Sequence, residues 1–192
     1  MYNILTKAVL SFNLKLQSLL KGFLMKDIYN LSYFIDKINE VLKEPEIHKM
    51  DSFIQHGNIT TLSHSIAVAY NSYILAVSSP FRVNLASVIR GAMLHDFFLY
   101  DWHDKNKGFR WHGFKHPKIA LKNAQKFFDL NDIEKDIIVR HMWPLTIIPP
   151  KYIESFIVSI ADKTVTVLET FKLFKNKFSM IDKKLALIKS ID

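Results

Sequence analysis

Residues 93–121 read MLHDFFLYDWHDKNKGFRWHGFKHPKIAL and carry two histidine–aspartate pairs and four histidines in one short, basic stretch. The first pair, His95-Asp96, closes an apolar run, and the second pair, His103-Asp104, opens a polar one. A carboxylate at the inner end of an apolar segment costs several kcal/mol unless another group pairs with it. The stretch therefore predicts that Asp96 is buried beside partners supplied by other parts of the chain.

The composition fits one helical domain. A chain of 192 residues is long enough to bury a core, and its 49% hydrophobic and 23% charged residues are typical of a globular protein. The 5 glycines and 6 prolines are few for an all-β protein with many tight turns. The chain contains no cysteine, so any metal must be held by nitrogen and oxygen ligands.

Apolar residues recur at helical spacing in six segments, and no segment shows the alternation of a strand. We expect these helices at residues 26–43, from Thr60 or Thr61 to about 78, at 83–98, from Pro117 to about Phe128, from Asn131 to about 141, and from 151 into the 170s. Asn131 and Glu134 have the spacing of a capping box. The pattern predicts an all-α, single-domain bundle over residues 26–175, preceded by an extension or helix (1–25) and followed by a helical tail (176–192).

Positive charge is concentrated in one region of a chain whose formal charge is +8. Between residues 101 and 126, seven lysines and arginines stand against two aspartates. This distribution favours a small anionic partner more than nucleic acid, for which no recognised motif is present. No apolar run approaches the roughly 18 residues of a membrane span, and we expect a cytoplasmic protein.

Six titratable residues occur where apolar helix faces would otherwise be expected: His64, His95, Asp96, His116, His141 and Asp162. Burying each of them independently would cost many kcal/mol, whereas a shared metal centre satisfies them together. Adjacent helical residues point about 100° apart, so His95 and Asp96 can reach one site only where the helix ends. Six ligands exceed the need of one open metal site, so we expect two divalent ions with one bridging carboxylate, drawn from iron, manganese, cobalt, nickel or zinc.

The order H…HD…H…H…D resembles the HD-domain superfamily of metal-dependent phosphohydrolases, in particular its two-metal members. The resemblance covers about residues 31–170. It implies an HD-type helical bundle in which one metal is held by His64, His95, Asp96 and Asp162, and a second by Asp96, His116 and His141. Phe97, Phe98 and Leu99 follow the pair where HDIG members have Ile-Gly, which argues against cyclic dinucleotide hydrolysis.

The resemblance implies a phosphohydrolase or phosphodiesterase in which metal-activated hydroxide attacks the phosphorus of a phosphate ester, such as a nucleotide, with Asp96 as a catalytic residue. For protonation of the leaving group the candidates are His103 and His112. The substrate phosphate is expected to meet Arg110, Lys115 and Lys163, because arginine grips phosphate bidentately and lysine acts as a point charge.

Three other functions fit the same residues. A diiron oxygenase would use a similar ligand set, a regulatory or nucleic-acid-binding protein would use the basic surface, and a pseudoenzyme would keep only the fold. The sequence leaves the substrate, the metal and the oligomeric state open.

Overall fold

The computed structural model describes residues 28–103 and 111–170. The chain divides into two units, residues 1–36 and 37–192. Within the first unit, the described residues form the first part of helix α1 (Ile28–Leu42). The expected domain boundaries at residues 25 and 175 lie outside the described residues.

The second unit is helical apart from one short hairpin. After the end of α1 come a 3-10 helix (Pro45–Ser52), strands β1 (Ile54–His56) and β2 (Ile59–Thr60), and helices α2 (Thr61–Val77), α3 (Leu85–Leu94), α4 (His112–Phe127), α5 (Asp132–Arg140) and α6 (Ile153–Thr170). The two strands pair antiparallel around Gly57, whose φ of 58° suits glycine in a tight turn. The predicted all-α class is confirmed.

Helix α3 lies at the centre of the packing, against α2, α5 and α6. Its close approach to α5 depends on Gly91, because a Cβ built there would lie 2.6 Å from Cδ1 of Ile137. Fully buried side chains from α2, α3, α5 and α6 form the core, among them Val68, Ile89, Ile137 and Val158. The approach brings the C-terminal ends of α3 and α5 together.

Polar caps fix where three of these helices begin. The side chains of Thr60 and Asn84 accept hydrogen bonds from backbone N–H groups at the starts of α2 and α3. The predicted capping box of α5 is confirmed: Asn131 accepts from the Glu134 N–H at 2.9 Å, and Glu134 accepts from the Asn131 N–H at 3.1 Å.

Two predicted helix boundaries differ from the structure. Helix α4 begins at His112, so Pro117 lies inside it and not at its first position as expected. Trp111 enters the helix from a left-handed backbone conformation, with φ of 68°. Helix α3 ends at Leu94 and not near Phe98, because the next residues turn out of the helix and the Phe98 N–H bonds the Asp96 carbonyl. The 3-10 helix and the hairpin, both too short for a periodic pattern, were not predicted.

Among the residues that the structure describes, no helix combines the length and the apolar character that crossing a bilayer requires.

Candidate metal centre

The six predicted ligands lie together in the second unit, each at most 8% exposed. They come from five places in the fold: the first turn of α2 (His64), the residues that follow α3 (His95 and Asp96), the second turn of α4 (His116), the residue that follows α5 (His141) and the middle of α6 (Asp162). The helix end after α3 lets both members of the His95-Asp96 pair face the same cluster, as the sequence predicted.

One ring nitrogen of each of these histidines is hydrogen-bonded to an oxygen that can only accept. Nδ1 lies 2.7 Å from the Ala92 carbonyl in His95, 2.9 Å from the His112 carbonyl in His116, 2.8 Å from the Ile138 carbonyl in His141, and 2.8 Å from the Glu169 carboxylate in His64. Nδ1 therefore carries a proton in all four rings, and Nε2 is the ring atom that could bind a metal.

The four Nε2 atoms converge on two carboxylates. Nε2 of His64 lies 3.2 Å and Nε2 of His95 3.7 Å from Oδ1 of Asp162. On the other side of the cluster, the Nε2 atoms of His116 and His141 are 2.8 Å apart. Two lone pairs at that distance repel each other unless a cation or a proton lies between them.

Asp96 stands between these two groups of histidines. Its Oδ1 lies 3.1 Å from Nε2 of His116 and 3.6 Å from Nε2 of His141. Its Oδ2 lies 3.4 Å from Nε2 of His95 and 3.9 Å from Nε2 of His64. Each carboxylate oxygen thus faces a different pair of imidazoles.

The charges of the cluster keep its carboxylates ionised. Burial raises the pKa of Asp162, but the hydrogen bond from His64 and the charge of His95, whose Nε2 lies 3.7 Å away, outweigh it and hold that pKa well below its usual range. Burial acts in the same way on Asp96, and the charges of His95 and His116 hold its pKa well below the usual range as well. Both groups are therefore anionic acceptors at neutral pH.

The pKa values of two histidines of the cluster, His64 and His141, are shifted in opposite directions. Burial lowers the pKa of His64, but the hydrogen bonds to Asp162 and Glu169 outweigh burial and raise it to about 9. For His141, burial and the charges of His116 and His95 lower the pKa to about 3. The half of the cluster near Asp162 attracts positive charge, and His141 presents a neutral imidazole.

The residues present fit a divalent transition metal. Nε2 of His95 and Oδ1 of Asp96 are buried and have no partner at hydrogen-bond geometry among the described residues. Ligand atoms of His64, His95 and Asp162 lie within 4.8 Å of one another, as do those of His95, Asp96 and His141. Imidazole nitrogens and carboxylate oxygens without thiolates are the donors that zinc, iron, manganese, cobalt and nickel accept.

The two candidate proton donors lie in different surroundings. His112 is half-buried beside the ligands, with its ring stacked on His116 at 4.4 Å and its Nδ1 2.9 Å from the Tyr100 hydroxyl. Burial and the charge of His116 lower the pKa of His112 to about 4. His103 is exposed, and its ring packs on Trp102 at 3.8 Å. Their catalytic roles stay predictions.

The three candidate phosphate contacts are also placed differently. Lys115 is exposed on α4, one residue before His116. Lys163 is half-buried, and its ammonium donates to the His141 carbonyl at 2.8 Å and to the Ser159 hydroxyl at 3.0 Å. In this structure Lys163 therefore holds the end of α5 against α6. Arg110 lies outside the described residues.

Two contributors to the site were missed by the sequence analysis. Nε2 of Gln55 in β1 donates to Oδ2 of Asp96 at 2.6 Å, and Glu169 in the last turn of α6 accepts from His64. Each is separated from its partner by many residues, 41 and 105 respectively. The one available signal was Glu169 itself, an acid seven positions after Asp162 and therefore on the same helix face.

These features define a class of protein: a helical bundle whose helix ends and helix faces converge on a buried, thiolate-free cluster that could hold a metal. The family model of the HD domain matches residues 61–166, which is more than half of the chain and includes all six ligand candidates. The chain belongs to the HD domain family. No match to the chain was found among curated proteins or among solved structures.

Proposed function

We propose that this protein is a metal-dependent phosphohydrolase or phosphodiesterase whose substrate is a small anionic phosphate ester, such as a nucleotide. The observation that carries the proposal is the position of Asp96, with one oxygen toward His95 and His64 and the other toward His116 and His141. Family membership supports it, since proteins with an HD domain are generally metal-dependent hydrolases.

The arrangement of Asp96 favours two ions over one. His64, His95, Asp96 and Asp162 would hold the first ion, and Asp96, His116 and His141 would hold the second. Divalent ions of this kind lower the pKa of bound water toward neutrality and polarise the oxygens of a phosphoryl group. Burial of the ligands supports the proposal, because electrostatic interactions are stronger where water is excluded.

The chain's own cations would bind and orient the phosphate. Helix α4 contributes lysines and no acidic residue, and its exposed Lys115 is the residue before His116 in the chain. Lys163 would have to exchange an existing bond to the His141 carbonyl for a bond to substrate. We therefore expect Lys115 and Arg110 to contribute more to substrate binding than Lys163.

The test combines elemental analysis of the purified protein with a panel of nucleoside monophosphates, cyclic nucleotides and sugar phosphates. We expect hydrolysis of at least one ester in the presence of a divalent transition metal. Asp96→Ala should lose bound metal and activity by about 1,000-fold or more, because it removes a ligand shared by both ions. Asp132→Ala, a change at a largely exposed position of α5, is the matched control and should keep both.

Two results would reject the proposal. One is turnover by Asp96→Ala equal to that of the wild type. The other is a metal-loaded wild type that hydrolyses no member of the panel, and iron in that sample together with substrate-dependent oxygen uptake would identify a diiron oxygenase instead.

A further inference from the structure

We infer that Glu169 is a positioning residue of the metal centre, which holds His64 in the tautomer and orientation that present Nε2 to a metal. The inference rests on the metal-binding part of the proposed function and not on the reaction catalysed. Glu169 does not belong to the six-ligand pattern, and it lies beyond residue 166, where the match to the HD domain model ends.

Glu169 and Asp162 hold His64 from its two ring nitrogens. Oε2 of Glu169 lies 2.8 Å from Nδ1, and Oδ1 of Asp162 lies 3.2 Å from Nε2. Seven residues make about two helical turns, so the two acids lie on one face of α6. A single helix therefore positions both the Asp162 carboxylate at Nε2 of His64 and the Glu169 carboxylate at its Nδ1.

His64 differs from the other three histidines in the acceptor that its Nδ1 meets. His95, His116 and His141 donate to neutral carbonyls three or four residues earlier in their own segments. The acceptor for His64 is an anionic side chain from another helix. A carboxylate behind a ligating imidazole fixes the ring more firmly than a neutral acceptor and makes Nε2 a stronger donor to metal.

The burial of Glu169 indicates more than a structural hydrogen bond. Its side chain is almost fully buried, and its Oε1 has no hydrogen-bond partner among the described residues. A buried carboxylate with one unsatisfied oxygen is costly, and a neutral acceptor would serve the fold at lower cost. The negative charge of Glu169 has a function if the His64 imidazole, to which it is hydrogen-bonded, binds a metal ion.

The test measures metal affinity by competition with a chelator, using zinc, in Glu169→Ala and Glu169→Gln. We expect Glu169→Ala to weaken zinc binding about 10–100-fold, the usual effect of removing such a partner. Glu169→Gln should lose less, because its amide oxygen still accepts the N–H but carries no charge. Circular dichroism verifies that each variant is folded.

Glu154 provides the matched control. It lies on the same helix and is equally buried, at 6% exposure for both residues, but its carboxylate accepts the Asn84 N–H at 2.8 Å, away from His64. Glu154→Gln and Glu154→Ala should change the stability of the fold and leave zinc affinity within about twofold of the wild type. Equal affinities in the Glu169 and Glu154 variants would overturn the inference.

A second readout is the ring-nitrogen NMR spectrum of His64 in the zinc-loaded protein. We expect a protonated, strongly hydrogen-bonded Nδ1 in the wild type. The hydrogen bond should be weaker in Glu169→Gln and lost in Glu169→Ala. An Nε2 proton on His64 with zinc bound, or direct Glu169–zinc coordination, would also overturn the inference. A wild type that binds zinc but hydrolyses no phosphate ester would refute the proposed reaction alone, and the affinities of the variants would still decide the role of Glu169.

Discussion

At the scale of single residues, the chemistry of the site depends on which nitrogen of each histidine carries a proton. Carbonyl and carboxylate acceptors fix the proton on Nδ1 in His64, His95, His116 and His141, and the neighbouring Nε2 is then a ligand atom. The same reasoning applies to Asp96, whose orientation is fixed by a donor that is not a metal ligand.

That donor, Gln55, gives a prediction. Gln55→Ala removes the 2.6 Å hydrogen bond to Oδ2 of Asp96, so the carboxylate is held less firmly and metal affinity should fall about tenfold. Chelator competition measures the change. Asn71→Ala removes a side-chain amide that bonds the Ala67 carbonyl within α2, and it should leave metal affinity unchanged. Wild-type affinity in Gln55→Ala would contradict this account of Asp96.

The pKa of Glu134 gives a prediction about stability and pH. Burial raises this pKa above 4.5, against the opposing effect of Arg90, so the folded state binds the proton more tightly than the unfolded state. The contribution of Glu134 to stability is therefore fully present below about pH 4.5 and decreases as the pH rises through the folded pKa. Relative to Glu134→Gln, the wild type should lose unfolding free energy as the pH rises from about 4.5 toward neutrality.

Urea denaturation of both proteins across this pH range, at one fixed metal concentration, measures the difference. Glu40→Gln is the control with the opposite sign, because the hydrogen bond from Lys37 lowers the pKa of the exposed Glu40. If the wild type instead gains unfolding free energy relative to Glu134→Gln as the pH rises, the Arg90 ion pair, at 3.2 Å, outweighs burial.

At the scale of helices and strands, the site depends on where the helices end. Helices α3 and α5 both end one residue before a histidine of the cluster, and the close contact at Gly91 sets the distance between those ends. Asp96 also follows directly after the end of α3. A shift of α3 against α5 would therefore move residues on both sides of the cluster.

Gly91→Ala tests this dependence. The new Cβ would lie 2.6 Å from Cδ1 of Ile137, which forces α3 and α5 apart, so we expect a loss of about 1–3 kcal/mol of unfolding free energy. Metal affinity should also fall, because the ligands separate. Thermal or urea unfolding gives the first quantity and chelator competition the second.

The double variant Gly91→Ala with Ile137→Val removes the clashing Cδ1 atom. It should recover part of both losses, so the two substitutions should be non-additive in a double-mutant cycle. Strict additivity would mean that contact between these two side chains does not set the helix separation.

At the scale of the whole molecule, a metal would link segments that are distant in the chain. Its ligands come from positions 64 to 162, so binding is possible only after α2, α3, α4, α5 and α6 have packed together. A ligand that binds only the folded state stabilises it by about 2.7 kcal/mol at 100 times its dissociation constant.

Removal of metal should therefore lower the melting temperature. We expect a chelator to lower the melting temperature of the wild type by several degrees. It should leave the melting temperature of Asp96→Ala unchanged, because that variant is expected to have no bound metal to remove. Calorimetry with and without chelator measures the shift. Equal melting temperatures for metal-loaded and metal-free wild type would exclude a metal that stabilises the fold.

The sequence by itself determined the helical class, the caps of α2 and α5 and the six residues that meet in the cluster. Helical periodicity and caps depend on residues a few positions apart, and buried charge in an apolar run requires a partner wherever that partner lies. Only the tertiary structure decided the start of α4, the bonds of Lys163 to the end of α5, and the contacts of Gln55 and Glu169 with the ligands. These contacts join residues far apart in the chain, and local patterns do not specify how helices pack against one another.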